Sequence, residues 1–160
     1  MTTTAAPGWA SAYLKAVPPA GVDLDPAARF AVEQTLMRYA FALDQRDLTA
    51  LADVLTEDAT WTFTIAGEAQ LGPLVGSVAI LDFVRAAMDT QTDQRRHNIV
   101  NVTFSDADAD TVAVRAYLML TSNAGGSPTI VTTGFYTFTL KRVTGEWRIS
   151  HLFLGMDNAA

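Results

Sequence analysis

The sequence predicts an α+β domain in which helices come first and cover one face of a curved antiparallel sheet. Three observations lead there. Apolar residues recur at helical spacing through the first half of the chain. From Arg95 onward the apolar period shortens to that of a strand and stays there. Only short turns separate the four long alternating runs in this second half, which is the mark of antiparallel hairpins.

At 160 residues, with 49% hydrophobic and 18% charged residues, the chain has the length and apolar content for one domain with a real core. That domain is expected over residues 26–158, behind an irregular arm of residues 1–25. A net charge of −6 with only 11 scattered Lys and Arg argues against a nucleic-acid partner, because phosphate binding needs clustered cations. Without cysteine, disulfides, thiolate nucleophiles and Cys-based metal sites are excluded. Any metal site would have to draw on two histidines and carboxylates, and none is expected. The N-terminus has neither the basic start of a signal peptide nor an apolar run of membrane-spanning length. A cytoplasmic protein with no membrane partner is therefore expected.

Taken in order, Pro7, Pro18, Pro19 and Gly21 punctuate the arm. One short helical turn around Trp9 to Ala16 would set Trp9, Tyr13 and Leu14 on one side. Asp25 before Pro26 marks a helix start, a capping acid followed by proline at the first helical position. The helix is expected to run to about Gln45, with a buried stripe of Phe30, Met37, Ala40 and Phe41 that also carries Asp44. Asp47 directly precedes LTALADVL and suits the cap of a second helix from Leu48 to Leu55. Thr56 to Asp58 then break that helix before ATWTFTI, where Thr60, Thr62 and Thr64 alternate with Trp61, Phe63 and Ile65 as in a half-buried strand. A turn-rich connection comes next, with a short strand around Gln70 to Leu74. Ser77 is placed to cap a third helix, VAILDFVRAAM. The strands RRHNIVNVTF, TVAVRAYLMLTS, TIVTTGFYTFTLKR and EWRISHLFL complete the chain, joined by turns at 106–110, 123–128 and 144–145.

Two residues stand out as chemistry. Asp44 is a carboxylate on an apolar stripe, and Asp47 already does the capping that would otherwise explain it. His97 lies on a strand face with Ile99, Asn101 and Thr103; strand parity alone leaves open whether that face is inward. Taken alone, a strand histidine is more often a surface or hydrogen-bonded core residue than a catalyst. Should the two meet, the imidazole would move protons while the carboxylate orients it and fixes its tautomer. GxSxG, P-loop, HExxH and GxGxxG motifs are all missing, so the corresponding hydrolase, nucleotide, zinc-protease and dinucleotide readings lack support. His151, the other histidine, is read as structural. Tyr39, Trp61, Phe63 and Tyr136 suit an apolar pocket for a ring-shaped ligand and suit a plain core equally well. The two tyrosines matter most, because a buried phenol must place its hydroxyl on a partner.

The order RYAFALDQRD, DLTALADVLTEDATW, a helix after a glycine, RRHNIVN, a long strand, GFYTFTLKR and GEWRI resembles the SnoaL-like proteins of the nuclear transport factor 2-like superfamily, over about residues 27–155. The resemblance implies a cone: a strongly bent antiparallel sheet wrapped around helices, with a pocket inside its open mouth, often paired as a homodimer through the outer sheet face. The pattern is most similar to the scytalone dehydratase branch. Its helix-borne Asp falls on Asp44 and its QHxxG histidine on His97. A second catalytic histidine of that branch falls near Ser122, the tyrosine before its acid is Leu43 here, and a pocket serine falls near Gly134. The same alignment turns Leu152 and Leu154 inward and His151 outward.

The resemblance and the two carriers together imply a cofactor-free acid–base enzyme, a dehydratase first and a cyclase or isomerase second. Its substrate would be a hydrophobic cyclic or polyketide-derived carbonyl or hydroxyl compound. Asp44 and His97 are the expected catalytic pair. Tyr39, Asn101 and Tyr136 are expected to bind the substrate oxygen, and Trp61, Phe63, Leu118, Leu120, Leu152 and Leu154 to line the pocket. The expected partners are that small molecule and a second copy of the chain. The competing expectation is a non-catalytic ligand-binding module or a structural subunit of an oxygenase-type complex.

Overall fold

In the computed structural model, which describes residues 8–68 and 70–159, the first long helix, α1 (Pro26–Gln45), starts at the Asp25–Pro26 signal. Asp25 Oδ2 accepts the amides of Ala27 at 2.9 Å and Ala28 at 3.1 Å, filling two of the donors that a helix start leaves open. Arg46 ends the helix in the left-handed conformation, φ 57°. Asp47 Oδ1 then accepts the Ala50 amide at 2.9 Å and caps α2 (Leu48–Asp53).

The face that α1 buries only partly matches the expected one, for Ala40 and Asp44 are buried and Met37 half-buried as expected. Val32, Leu36, Tyr39 and Leu43 point into the core, while Phe30 and Phe41 are 65% and 67% exposed. Apolar residues surround this helix on both sides, so its own periodicity does not choose a face. The sheet chooses it, by offering Val112, Val114, Phe138, Leu140 and Ile149. Thr35 Oγ1 donates to the Trp147 carbonyl at 2.9 Å and ties the helix to the sheet. Asp44 flanks this buried face and is covered by the strand that crosses the helix end.

β1 (Leu55–Ile65) begins directly after α2, so Thr56 to Asp58 lie within the strand rather than breaking a helix before it. The sheet pairing of Leu55 with Ile149 outweighs the local turn signal. β2 (Leu71–Val75) comes next, and then α3 (Ser77–Asp89). Gly76, with φ 88°, takes the N-cap position, and Ser77 is already helical and makes no side-chain cap. β3 (Gln94–Ala107), β4 (Thr111–Ala124), β5 (Ser127–Val143) and β6 (Glu146–Met156) complete the chain.

The six strands form one curved, open sheet in the order β2-β1-β6-β5-β4-β3. β3 to β6 form an antiparallel meander, whereas β1 pairs with β6 in parallel. Hairpins fix the direction of the meander. β1 and β6 come from distant parts of the chain, so no hairpin constrains theirs.

Inward-facing residues stack in cross-strand rows. Val114, Phe138, Leu152 and Trp61 form one row, and Tyr136, Leu154 and Phe63 the next. Ile99, Leu118, Gly134 and Met156 form the third, then His97, Leu120 and Thr132. Val114, Phe138 and Leu152 of the first row belong to the core under α1. The last rows approach the open mouth of the cone.

Of the expected N-terminal arm, residues 1–7 lie outside the described residues. Trp9–Ala12 form one 3-10 turn. Trp9 packs on Phe135 at 5.2 Å and Tyr13 stacks on Phe153 at 5.0 Å between ring centroids. The Trp9 indole donates to Asp157 at 2.9 Å. The arm therefore lies over the outer face of β5 and β6.

Candidate functional site

The last turn of α1 delivers Asp44 to β3. Its Oδ1 accepts the His97 backbone amide at 3.0 Å and lies 2.7 Å from His97 Nδ1. Gln94 Nε2 donates to the Asp44 carbonyl at 2.9 Å and holds the helix end against the strand. A carboxylate only accepts, so this contact puts the imidazole proton on Nδ1 and leaves the Nε2 lone pair available. Nε2 has no hydrogen-bond partner among the described residues. Side-chain exposure is 17% for His97 and 7% for Asp44, so the pair is shielded but reachable.

His97 opens onto a cavity of about 340 Å³, at the small end of the range for ligand pockets. Tyr39, Trp61 and Tyr136 form its inner end, and Phe63, Leu118, Leu120 and Leu154 its sheet wall. Tyr39 and Tyr136 meet edge to face at 6.1 Å between centroids. Burial raises both phenol pKa values; the charge and hydroxyl of Tyr136 add to the shift at Tyr39, and the Asp44 charge adds to that at Tyr136. Both hydroxyls are therefore donors across the neutral range. The phenols influence each other's ionisation without reaching hydrogen-bond geometry, since among the described residues Tyr39 Oη has no partner, and neither does Trp61 Nε1.

Two expected pocket residues lie elsewhere. Asn101 takes a positive φ of 54°, and the β3–β4 register slips between Val100 and Thr103. This bulge flips the alternation, so Asn101 is exposed and lines a shallow depression on the outer face with Leu14, Thr103 and Arg115. Leu152 is 2% exposed and fills the core beneath the cavity instead of lining it. β6 also bulges at Ser150, between Ile149 and His151. Trp147 and Ile149 below the bulge and Leu152 and Leu154 above it therefore all face inward. His151 points away and makes a 2.7 Å hydrogen bond with Thr60 Oγ1; burial pushes its pKa down.

The cavity also uses residues not expected from the sequence. Phe83, Val84, Ala87 and Met88 present one face of α3, and Arg95 and Gln91 stand at the mouth. The α3 residues keep to a helical stripe, and Arg95 shares its strand parity with His97; both signals were present in the sequence. At Gly134, where the resemblance put a pocket serine, an added Cβ would collide with the Gly155 carbonyl oxygen. β5 and β6 come too close there for any side chain.

A SnoaL-like domain model matches residues 26–152. The chain belongs to the SnoaL-like domain family. As a SnoaL-like protein it is a member of the nuclear transport factor 2-like superfamily, a family that includes cofactor-free enzymes. Among solved structures it is similar to Aln2 from a Streptomyces species, at 27% identity and TM-score 0.71, covering 83% of this chain and 93% of that one. It is similar to a putative aromatic ring hydroxylase from Novosphingobium aromaticivorans at 26% identity and TM-score 0.70, covering 84% and 92%. The β subunit of a putative aromatic-ring-hydroxylating dioxygenase from the same organism shares the fold at 17% identity and TM-score 0.73, covering 84% and 92%. No curated protein is significantly similar to this SnoaL-like chain in sequence.

Proposed function

We propose that this SnoaL-like protein is a cofactor-independent acid–base enzyme, a dehydratase-like lyase acting on a hydrophobic cyclic or polyketide-derived carbonyl compound. The observation that carries the reading is the 2.7 Å Asp44–His97 contact, set so that Nε2 is left for the cavity. In the forward step His97 Nε2 takes a proton from the carbon beside a carbonyl. The electron pair moves into the carbonyl oxygen, and Tyr136 donates a hydrogen bond to the enolate that forms. Asp44 stabilises the imidazolium. When the enolate collapses, the β-carbon loses its hydroxyl, the imidazolium proton leaves with it as water, and His97 returns to its neutral form. Ring closure and double-bond isomerisation begin with the same proton abstraction and come second.

The enzyme reading is tested without the natural substrate by deuterium exchange at the α-carbon of 2-tetralone, monitored by NMR. His97→Ala and Asp44→Asn are each expected to slow catalysed exchange by roughly 10²- to 10⁴-fold, with the thermal midpoint of Asp44→Asn close to wild type. Exchange equal to wild type in both variants rejects the dyad. It would favour the competing reading, a ligand-binding or structural subunit, which draws on the shared fold of the dioxygenase β subunit.

A further inference from the structure

The mouth of the cavity holds a cation that the proton-transfer step does not use. Arg95 lies two residues before His97 on the same face of β3, about 7 Å along the strand, and lines the cavity. Its Nε lies 3.4 and 3.3 Å from the two carboxylate oxygens of Asp93. Asp93 is itself fixed. The Ser122 hydroxyl, and after it Arg95, hold its carboxyl below the usual range, and its backbone carbonyl accepts Arg46 Nη2 at 2.8 Å and Gln91 Nε2 at 3.0 Å.

A surface ion pair explains one edge of the guanidinium but not the rest. The two terminal nitrogens of Arg95 have no hydrogen-bond partner among the described residues, and the side chain is only 34% exposed. Such a fork, held by one edge and open on the other, matches the two oxygens of a carboxylate. Charge agrees with this. In a chain of net charge −6, Arg46, Arg95 and Arg96 gather at this end of β3, Arg46 donating to the Asp93 carbonyl and Arg96 to the Arg95 carbonyl. An acidic ligand at the cavity mouth meets the open edge of the Arg95 guanidinium here.

We propose that the substrate is an amphipathic acid: a compact ring system that enters the cavity, bearing a carboxylate that stays at the mouth on the terminal nitrogens of Arg95. The inference rests on reading this cavity as the substrate site. It sets the reacting carbon about one strand repeat from the carboxylate, opposite His97 Nε2.

The test uses 2-naphthaleneacetic acid and its methyl ester as probes, titrated calorimetrically into the full chain at neutral pH. The wild type should bind the acid roughly tenfold or more tightly than the ester. Arg95→Met should remove that preference while leaving ester affinity within about twofold, and Arg95→Lys should keep part of it. Equal binding of acid and ester by the wild type, or a preference that survives in Arg95→Met, overturns the carboxylate proposal. If 2-tetralone exchange still depends on the dyad, the acid–base reading stands without it. A preference for the acid without any exchange overturns the acid–base reading alone. Binding of neither probe overturns the carboxylate proposal, and overturns both readings when dyad-dependent exchange is missing as well.

Discussion

Tyr136 shows how one side chain carries both packing and chemistry. Its ring is 1% exposed and packs on Phe138 at 4.9 Å, while its hydroxyl lies at the cavity. Burial holds the phenol protonated well beyond the neutral range, so it keeps a proton to donate. Tyr136→Phe keeps the ring and removes the donor. It is expected to slow 2-tetralone exchange by roughly 10²- to 10³-fold, by the same factor throughout the neutral range, because the tyrosine does not titrate there. A rate within about twofold of wild type at each pH would remove Tyr136 from the site. The same shift has a stability consequence. The folded pKa is raised, so above pH ~10 the unfolded chain gives up its proton first, and stability falls as pH climbs through that window. At this scale the sequence was readable where a residue lacked any other use. Asp44 stood out because Asp47 already capped α2. Asn101 was not readable, because a bulge reverses strand parity and nothing in NIVNVTF announces it.

At the scale of the element, α1 had a legible start and end but not a legible inner face. Phe30 and Phe41 look more like core than Val32 and Leu36 do, yet the sheet takes the latter pair. Their stabilities should differ accordingly. Leu36 is fully buried among Val32, Tyr39 and the sheet, so Leu36→Ala should cost about 2–5 kcal/mol in urea unfolding. Phe41→Ala removes a ring that is 67% exposed and should cost no more than about 0.5 kcal/mol. The reverse ranking would mean that α1 is rotated about its axis, and Asp44 would then no longer face β3. β6 poses the same problem in a strand. Its two halves alternate in opposite phase around Ser150, so the sequence offers two equally good inner faces, and both are right.

For the whole molecule, the change of apolar period at Arg95 was enough to read helices first and a meander after, and so an α+β domain, while the cone was what the family resemblance implied. The parallel β1–β6 pairing was not legible, since contacts between distant segments leave no local mark. The cone is unevenly filled. Val114, Phe138 and Ile149 pack one end to 1% exposure or less, while the other keeps a cavity of about 340 Å³. Natural cores are close-packed, so an unfilled end lined by aromatic rings and facing an Asp–His pair is best understood as space kept for a ligand. Filling it should therefore harm binding more than folding. Ala87 lines the mouth from α3, and Ala87→Leu adds apolar volume there on a good helix former. The variant should keep or raise its thermal midpoint while 2-naphthaleneacetic acid binds roughly tenfold or more weakly. A variant that unfolds earlier would show that the mouth is packed rather than open. Unchanged affinity in a stable variant would place the ligand elsewhere on the chain.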